Sequence, residues 1–116
     1  IKENHIAAAG SIASVLKAAL ELRQTENIQI EVESLDELQQ ALDAGAKSIL
    51  LDNFKLEDLR QAVILNQNRA LLEASGNVDL TTVRAIAETG VDRISIGALT
   101  KHIQAVDLSM RIRMQA

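Results

Sequence analysis

Cysteine, tryptophan and tyrosine are absent, and Phe54 is the only aromatic residue among the 116. Without cysteine, disulfides and thiolate metal sites are excluded and a reducing compartment is permitted. With so little aromatic volume, the core must be built from Ala, Leu, Ile and Val, a composition that suits helices packed on a parallel sheet. No apolar run approaches the ~18 residues of a membrane span, and no signal-peptide pattern is present. The net charge of −4 leaves no basic footprint for nucleic acid. Arg111 and Arg113 form the only basic cluster, a small one near the chain end. The expected setting is cytoplasmic, with neither nucleic acid nor membrane as partner. The length suits one small domain with a real core. The chain opens on Ile1-Lys2-Glu3-Asn4-His5, dense in functional groups, and reads as a piece of something longer.

What is present is a repeating strand-helix unit. Ile28–Val32, Ser48–Asp52, Ala70–Glu73 and Arg93–Gly97 look like short buried strands, three of them nearly continuous apolar runs. Parallel strands covered on both faces read this way. Between them, Ser34-Leu35-Asp36-Glu37 is a capping-box pattern. Leu35, Leu38, Ala41 and Leu42 follow as one apolar stripe, with Gly45 as the stop. Leu56 to Leu65 repeats the plan with Leu56, Leu59, Val63 and Ile64. Leu80 to Glu88 does so again, ending before Gly90. Ahead of these, Ser11 caps a predicted helix reaching about Arg23.

Glu31 to Asp52 and Asp52 to Glu73 each span 21 residues, and Glu73 to Ile96 spans 23. A strand, a helix and two short loops fit that length. Regular alternation predicts an α/β fold with a parallel sheet. Polar groups recur at successive strand ends, which favours part of a β/α barrel, of four to five βα units, over a doubly wound sheet. A partial barrel has two open edges, so this stretch alone is expected to be unstable or to associate.

The strand-end polar groups are the chemical candidates. Lys2, Asn4 and His5 are expected at the end of an earlier strand. Glu31 follows, then Asp52 with Asn53, Glu73 with Ser75 and Gly76, and Ser95 with Gly97. Alternation puts Gln29, Glu31 and Glu33 on one face. Glu31 is therefore either on a solvated edge or a carboxylate aimed into a site, where it needs partners. Asp52 is either a cap or turn residue or an oxygen ligand for Mg²⁺ or sugar hydroxyls. Ser75-Gly76-Asn77 and Gly97-Ala98-Leu99-Thr100 each follow a strand and precede a helix. Each is either a simple turn or a set of backbone N–H groups for an anion, and phosphate sites in barrels are built from two late loops like these. Lys2 is a surface lysine or a point charge for an anion. His5 and His102 lack metal-ligand spacing and read as hydrogen-bonding residues. Glu88 and Asp92 read as helix-end and turn residues.

The segments Ile1–His5, Glu31–Leu35, Leu50–Phe54, Leu72–Asn77, Ala87–Asp92 and Ser95–Thr100 occur in this order and spacing in quinolinate phosphoribosyltransferases, and the whole chain resembles the C-terminal barrel part of that family. The resemblance implies formation of nicotinate mononucleotide, pyrophosphate and CO₂ from quinolinate and phosphoribosyl pyrophosphate, in NAD biosynthesis. It also implies an N-terminal domain and early barrel outside this stretch, a homodimer or higher assembly with shared sites, and a requirement for Mg²⁺. Residue by residue, it implies Lys2 on the anionic substrates, and Glu31 and Asp52 as catalytic carboxylates near the ribose hydroxyls and Mg²⁺. Ser75, Gly76, Asn77 and Gly97 fall in the 5′-phosphate loops. Asn77 stands where many members have a second glycine, and asparagine tolerates positive φ. Lys101 stands where some have histidine and keeps a cation near the phosphate.

Quinolinate is a dianion and phosphoribosyl pyrophosphate is more highly charged. Lys2 and Lys101 beside Glu31 and Asp52 are a poor match for them, since desolvated anions need paired cations. The isolated stretch is therefore expected to be inactive, with further arginines and lysines supplied from elsewhere. Two rival readings remain at this point: another phosphate-binding β/α barrel, of thiamine-phosphate or indole-glycerol-phosphate type, and a non-catalytic assembly fragment.

Overall fold

The computed structural model describes residues 1–22 and 28–114. The elements run α1 (Glu3–Ala9), α2 (Ile12–Glu21), β1 (Ile30–Val32), α3 (Leu35–Asp43), β2 (Ser48–Asp52), α4 (Leu56–Asn66), β3 (Leu71–Ser75), α5 (Val83–Ala87), β4 (Arg93–Ile94) and α6 (Ala98–Lys101). The four strands pair in chain order, β1-β2-β3-β4, and every pairing is parallel. Successive helices touch, α2 on α3, α3 on α4 and α4 on α5, so they form one layer over one face. A doubly wound sheet would reverse its strand order and cover both faces. A single layer over strands taken in sequence is the β/α barrel arrangement.

Burial follows the two-residue period of the strands. Ile30, Val32, Ile49, Leu51, Leu72 and Ala74 point toward the helices and are buried. They meet Ile12 and Leu16 of α2, Leu38, Ala41 and Leu42 of α3, and Leu59 and Ala62 of α4 in one core. The alternate residues, Glu31, Leu50, Asp52, Glu73 and Ser75, are only half-buried, and Leu71 and Arg93 are exposed. The expectation that both faces are covered is thus corrected among the described residues: helices cover one face, and the other would be filled only where further strands close a barrel interior.

Local signals explain the element ends. Ser34 Oγ accepts from the Glu37 N–H at 3.2 Å, as the capping pattern requires. The Glu37 carboxylate accepts from the Glu33 N–H at 2.7 Å, one residue before the expected donor. At the far end the Gly45 N–H donates to Leu42 O and the Ala46 N–H to Ala41 O, the paired bonds of a Schellman stop. Ser11 caps α2 through the Ser14 N–H. α2 is assigned to Glu21, and Arg23 lies outside the described residues.

Three expectations shift. Ile64 is 74% exposed, so it does not belong to the buried stripe of α4, which is Leu59, Ala62 and Asn66. Asn66 is buried because its side chain clasps the entry to β3: Nδ2 donates to Ala70 O at 2.8 Å and Oδ1 accepts from the Ala70 N–H at 3.0 Å. The helix expected from Leu80 begins only at Val83, because the Asp79 carboxylate gathers the Thr81 and Thr82 N–H groups first. β4 is assigned only Arg93–Ile94, although the Asp92 and Ser95 N–H groups still donate to Leu72 O and Ala74 O on either side. Beyond α6, residues 103–114 have no regular structure and their side chains are exposed.

Candidate active site

The polar strand ends gather at the edge where β1 to β4 finish, and three of them are tied together. Asn53, just past β2, has φ 55. Its N–H donates to Ser75 O at 2.9 Å, its Nδ2 donates to Asp52 Oδ2 at 2.8 Å, and its Oδ1 accepts from Asn77 Nδ2 at 3.2 Å. The loop after β2 is thereby locked to the loop after β3. Gly76 lies against this lock with φ 97. A Cβ there would run into Asn53 Oδ1 and stand 2.9 Å from the Asn53 backbone nitrogen. Only glycine fits, for both conformation and space. Asn77 takes φ 51, the left-handed conformation expected of an asparagine there.

Ser75, Gly76 and Asn77 line a cavity of about 570 Å³ together with Ser95, Gly97 and Lys101. Val78, Asp79, Ala98 and His102 also line it, Asp79 and His102 at its rim. Gly97 has an ordinary φ of −64, and a Cβ there would meet only ordinary contacts with Lys101. Its missing side chain leaves the cavity wall open beside the lysine. Asp79 puts a negative charge on that rim: hydrogen bonds from the Thr81 hydroxyl and from the Thr81 and Thr82 N–H groups hold its carboxyl below the ordinary carboxylate value. The two helix N-termini that follow these loops stand differently toward the cavity, with the start of α6 at Gly97 and Ala98 on its wall. α5 starts six residues after Asn77, and α6 is a single turn. Loop N–H groups and the Lys101 ammonium are what the cavity offers an anion.

Lys2 and Glu31 form a second group. Lys2 Nζ lies 3.6 Å from Glu31 Oε2, with the lysine mostly exposed and the glutamate mostly covered. Lys2, Asn4 and His5 follow directly on Ile1, which pairs with β1 as the last residue of a strand does, and they open α1. Lys2 is the N-cap of α1, and His5 Nδ1 accepts from the Lys2 N–H at 3.1 Å. Only Ile1 runs beside β1, donating to Gln29 O and accepting from the Glu31 N–H at 2.9 Å. Glu31 opens on a smaller cleft of about 200 Å³ with Glu3, Glu33 and Glu37, apart from the loop cavity. Asp52 stands between the groups, joined through Asn53 to the cavity loops.

Sequence reasoning gave no role to Glu73 or to the coupling by Asn53. The Glu73 carboxylate accepts from the Ser95 hydroxyl and from Gln29 Nε2, the latter at 2.9 Å. Those bonds, Ser95 first, and then the Arg93 charge hold it below its ordinary value of 4.5 against the opposing effect of burial. Asp-Asn at a strand end was the readable signal for Asn53. Glu73 carried none beyond its position.

The description "Quinolinate phosphoribosyl transferase, C-terminal domain" matches residues 1–111. This chain belongs to the quinolinate phosphoribosyltransferase family. Its fold agrees with the nicotinate-nucleotide pyrophosphorylase of Francisella tularensis at a TM-score of 0.87 and 50% identity, covering 94% of this chain and 39% of that one. A chloroplastic carboxylating nicotinate-nucleotide pyrophosphorylase of Arabidopsis thaliana is 39% identical over 131 residues, covering 97% of this chain and 38% of its own length. The Mycobacterium leprae carboxylating enzyme is 37% identical over 113 residues, covering 95% and 40%. This member of the family thus spans about two fifths of its relatives, and the match sets aside the rival barrel types. Among the described residues, no helix is long and apolar enough to cross a membrane.

Proposed function

We propose that this chain supplies the sugar-phosphate side of a quinolinate phosphoribosyltransferase site, forming nicotinate mononucleotide, pyrophosphate and CO₂ from quinolinate and phosphoribosyl pyrophosphate in the complete enzyme. The observation that carries the reading is the cavity between two consecutive strand-end loops with Lys101 on its wall, in a chain of this family. Ser75, Gly76, Asn77 and Gly97 hold the 5′-phosphate through backbone and small polar groups, and Lys101 supplies the cation. Lys2 is a point charge toward the anionic substrates.

Glu31 and Asp52 lie beside the ribose. Loss of pyrophosphate leaves positive charge at the anomeric carbon, and fixed carboxylates aimed at that charge lower the barrier without reorganising. The donor set also suits Mg²⁺, which takes one or two carboxylates plus substrate oxygens. When bound, Mg²⁺ would neutralise charge on the pyrophosphate leaving group. Lys2 already holds Glu31, and Asn53 holds Asp52, so both carboxylates are oriented before substrate arrives. No residue here is assigned as a base for decarboxylation. The diacid needs cations that this stretch does not offer, so those groups come from further segments or from a partner subunit of a homodimer or larger assembly. The cytoplasm is the setting we assign.

The test is an assay of the complete enzyme for quinolinate-dependent release of pyrophosphate from phosphoribosyl pyrophosphate, with nicotinate mononucleotide as product. Release that does not depend on quinolinate, or no release, would sink the reading. The isolated 116-residue chain is expected to be inactive in the same assay.

A further inference from the structure

Glu73 puts a negative charge behind Ser95, a wall residue of a cavity read as an anion site, which calls for an explanation. It sits on β3 two residues before Ser75, on the polar face of the sheet, and is half-buried. One carboxylate oxygen accepts from the Ser95 hydroxyl, and the other accepts from Gln29 Nε2 at 2.9 Å. The Gln29 amide also donates toward Ser48 Oγ at 3.3 Å. The carboxylate therefore joins β4 and the approach to β1 across the sheet. These bonds favour its ionised form.

The consequence lies at Ser95, which lines the cavity. A hydroxyl has a single proton to donate. Ser95 gives that proton to Glu73 and turns only oxygen lone pairs toward the cavity. A phosphate oxygen has nothing to accept from there, and the charge behind it repels an anion. A hydroxyl donor finds a partner. We propose that Glu73 determines specificity within the cavity: by fixing the Ser95 hydroxyl as an acceptor, it closes the inner wall to phosphate and reserves it for hydroxyl donors such as those of a sugar. Phosphate is then confined to the side formed by Gly76, Asn77, Gly97 and Lys101. Orientation of a sugar phosphate follows, because its two ends meet walls of opposite hydrogen-bonding polarity. The inference rests on reading this cavity as a phosphate site.

Binding of inorganic phosphate to the full-length protein, followed by calorimetry, tests it without needing turnover. Glu73→Gln keeps the shape and removes the charge, and its amide no longer forces the Ser95 proton inward. The variant is expected to bind phosphate about fivefold more tightly while kcat/KM for phosphoribosyl pyrophosphate falls. Glu73→Asp keeps the charge and should bind phosphate within about twofold of the native protein. A merely structural role predicts the reverse order, with the shortened side chain at least as damaging and phosphate binding weakened in both. Ser95→Ala gives an independent reading: phosphate affinity within about twofold of native supports the assignment, whereas a loss of about tenfold means that Ser95 donates to phosphate and overturns it. Unchanged or weaker phosphate binding by Glu73→Gln also overturns it. If the native protein binds no phosphate, the cavity reading and this inference fall together. If it binds phosphate but shows no quinolinate-dependent turnover, only the proposed reaction fails and the Glu73 variants still decide.

Discussion

Ile49 and Leu50 are neighbours in β2, yet they belong to two different materials. Ile49 is wholly enclosed among Ile30, Leu72 and the helices, while Leu50 lies half-covered on a face shared with Glu31 and Glu73. The helix side of the sheet is apolar and dry. The opposite side carries carboxylates, amides and hydroxyls held by one another. The difference teaches where substitutions should be felt. On the first side they change packing, and so stability. On the second they change hydrogen-bond direction and charge, and so function, with little core to lose.

Leu51→Ala on the dry side should cost the most, about 3 kcal/mol of stability by chemical denaturation of the complete protein, since a fully buried leucine leaves a cavity. Its specific activity per folded molecule should stay near native, and a large activity loss without unfolding would break the contrast. Glu31→Ala or Asp52→Ala, on the polar side, should do the opposite. Turnover should fall about a hundredfold, near 2.7 kcal/mol of barrier, with the denaturation midpoint nearly unmoved. Normal turnover in either variant removes its assigned role.

Gly76→Ala sharpens the boundary because it strikes the lock between two loops. A side chain there meets φ 97 and Asn53, so a destabilisation of about 2 kcal/mol and a raised KM for phosphoribosyl pyrophosphate are expected together. A change in stability alone would mean that the loop does not touch substrate. The smallest effect is set by pH. The Glu73 carboxyl is lowered on folding, so its contribution is present above its ordinary value of 4.5 and is lost as pH falls through the lower folded value. Comparing acid unfolding of native protein and Glu73→Gln should show a slightly shallower decline below about pH 4.5 for the variant. Parallel curves would mean that the carboxylate gains nothing from Ser95 and Gln29.

Much of this contrast was legible in the sequence. The near-constant spacing of Glu31, Asp52 and Glu73 placed three strand ends at one edge, and the capping pattern at Ser34 located α3. The same residues hid other features. Ile28 to Val32 reads as a strand by its side chains, but backbone pairing sets the start of β1 at Ile30. Ile64 fits a helical stripe by spacing, yet the core lies on the face of Leu59 and Ala62. Nothing in the sequence marked Asn66, because only the fold brings Ala70 within reach of both its donor and its acceptor. Lys2, Asn4 and His5 were placed at a strand end and follow Ile1, which pairs with β1, but no pattern showed the immediate turn into α1. In the site, Ser75, Gly76, Asn77, Gly97 and Lys101 do meet around one cavity. Glu31 faces another cleft, and no spacing rule could have separated them, because the separation depends on how side chains leave adjacent strands.

Gly76 and Asn53 belong to successive repeat units, but they cannot drift apart as unrelated positions. The asparagine occupies the space that any side chain at 76 would need, and its left-handed backbone holds the next loop in place. A lineage that replaces the glycine must first release the asparagine, and one that loses the asparagine gives up the tie to Ser75 and Asn77. Two loops from successive units thus tolerate substitution only as one unit.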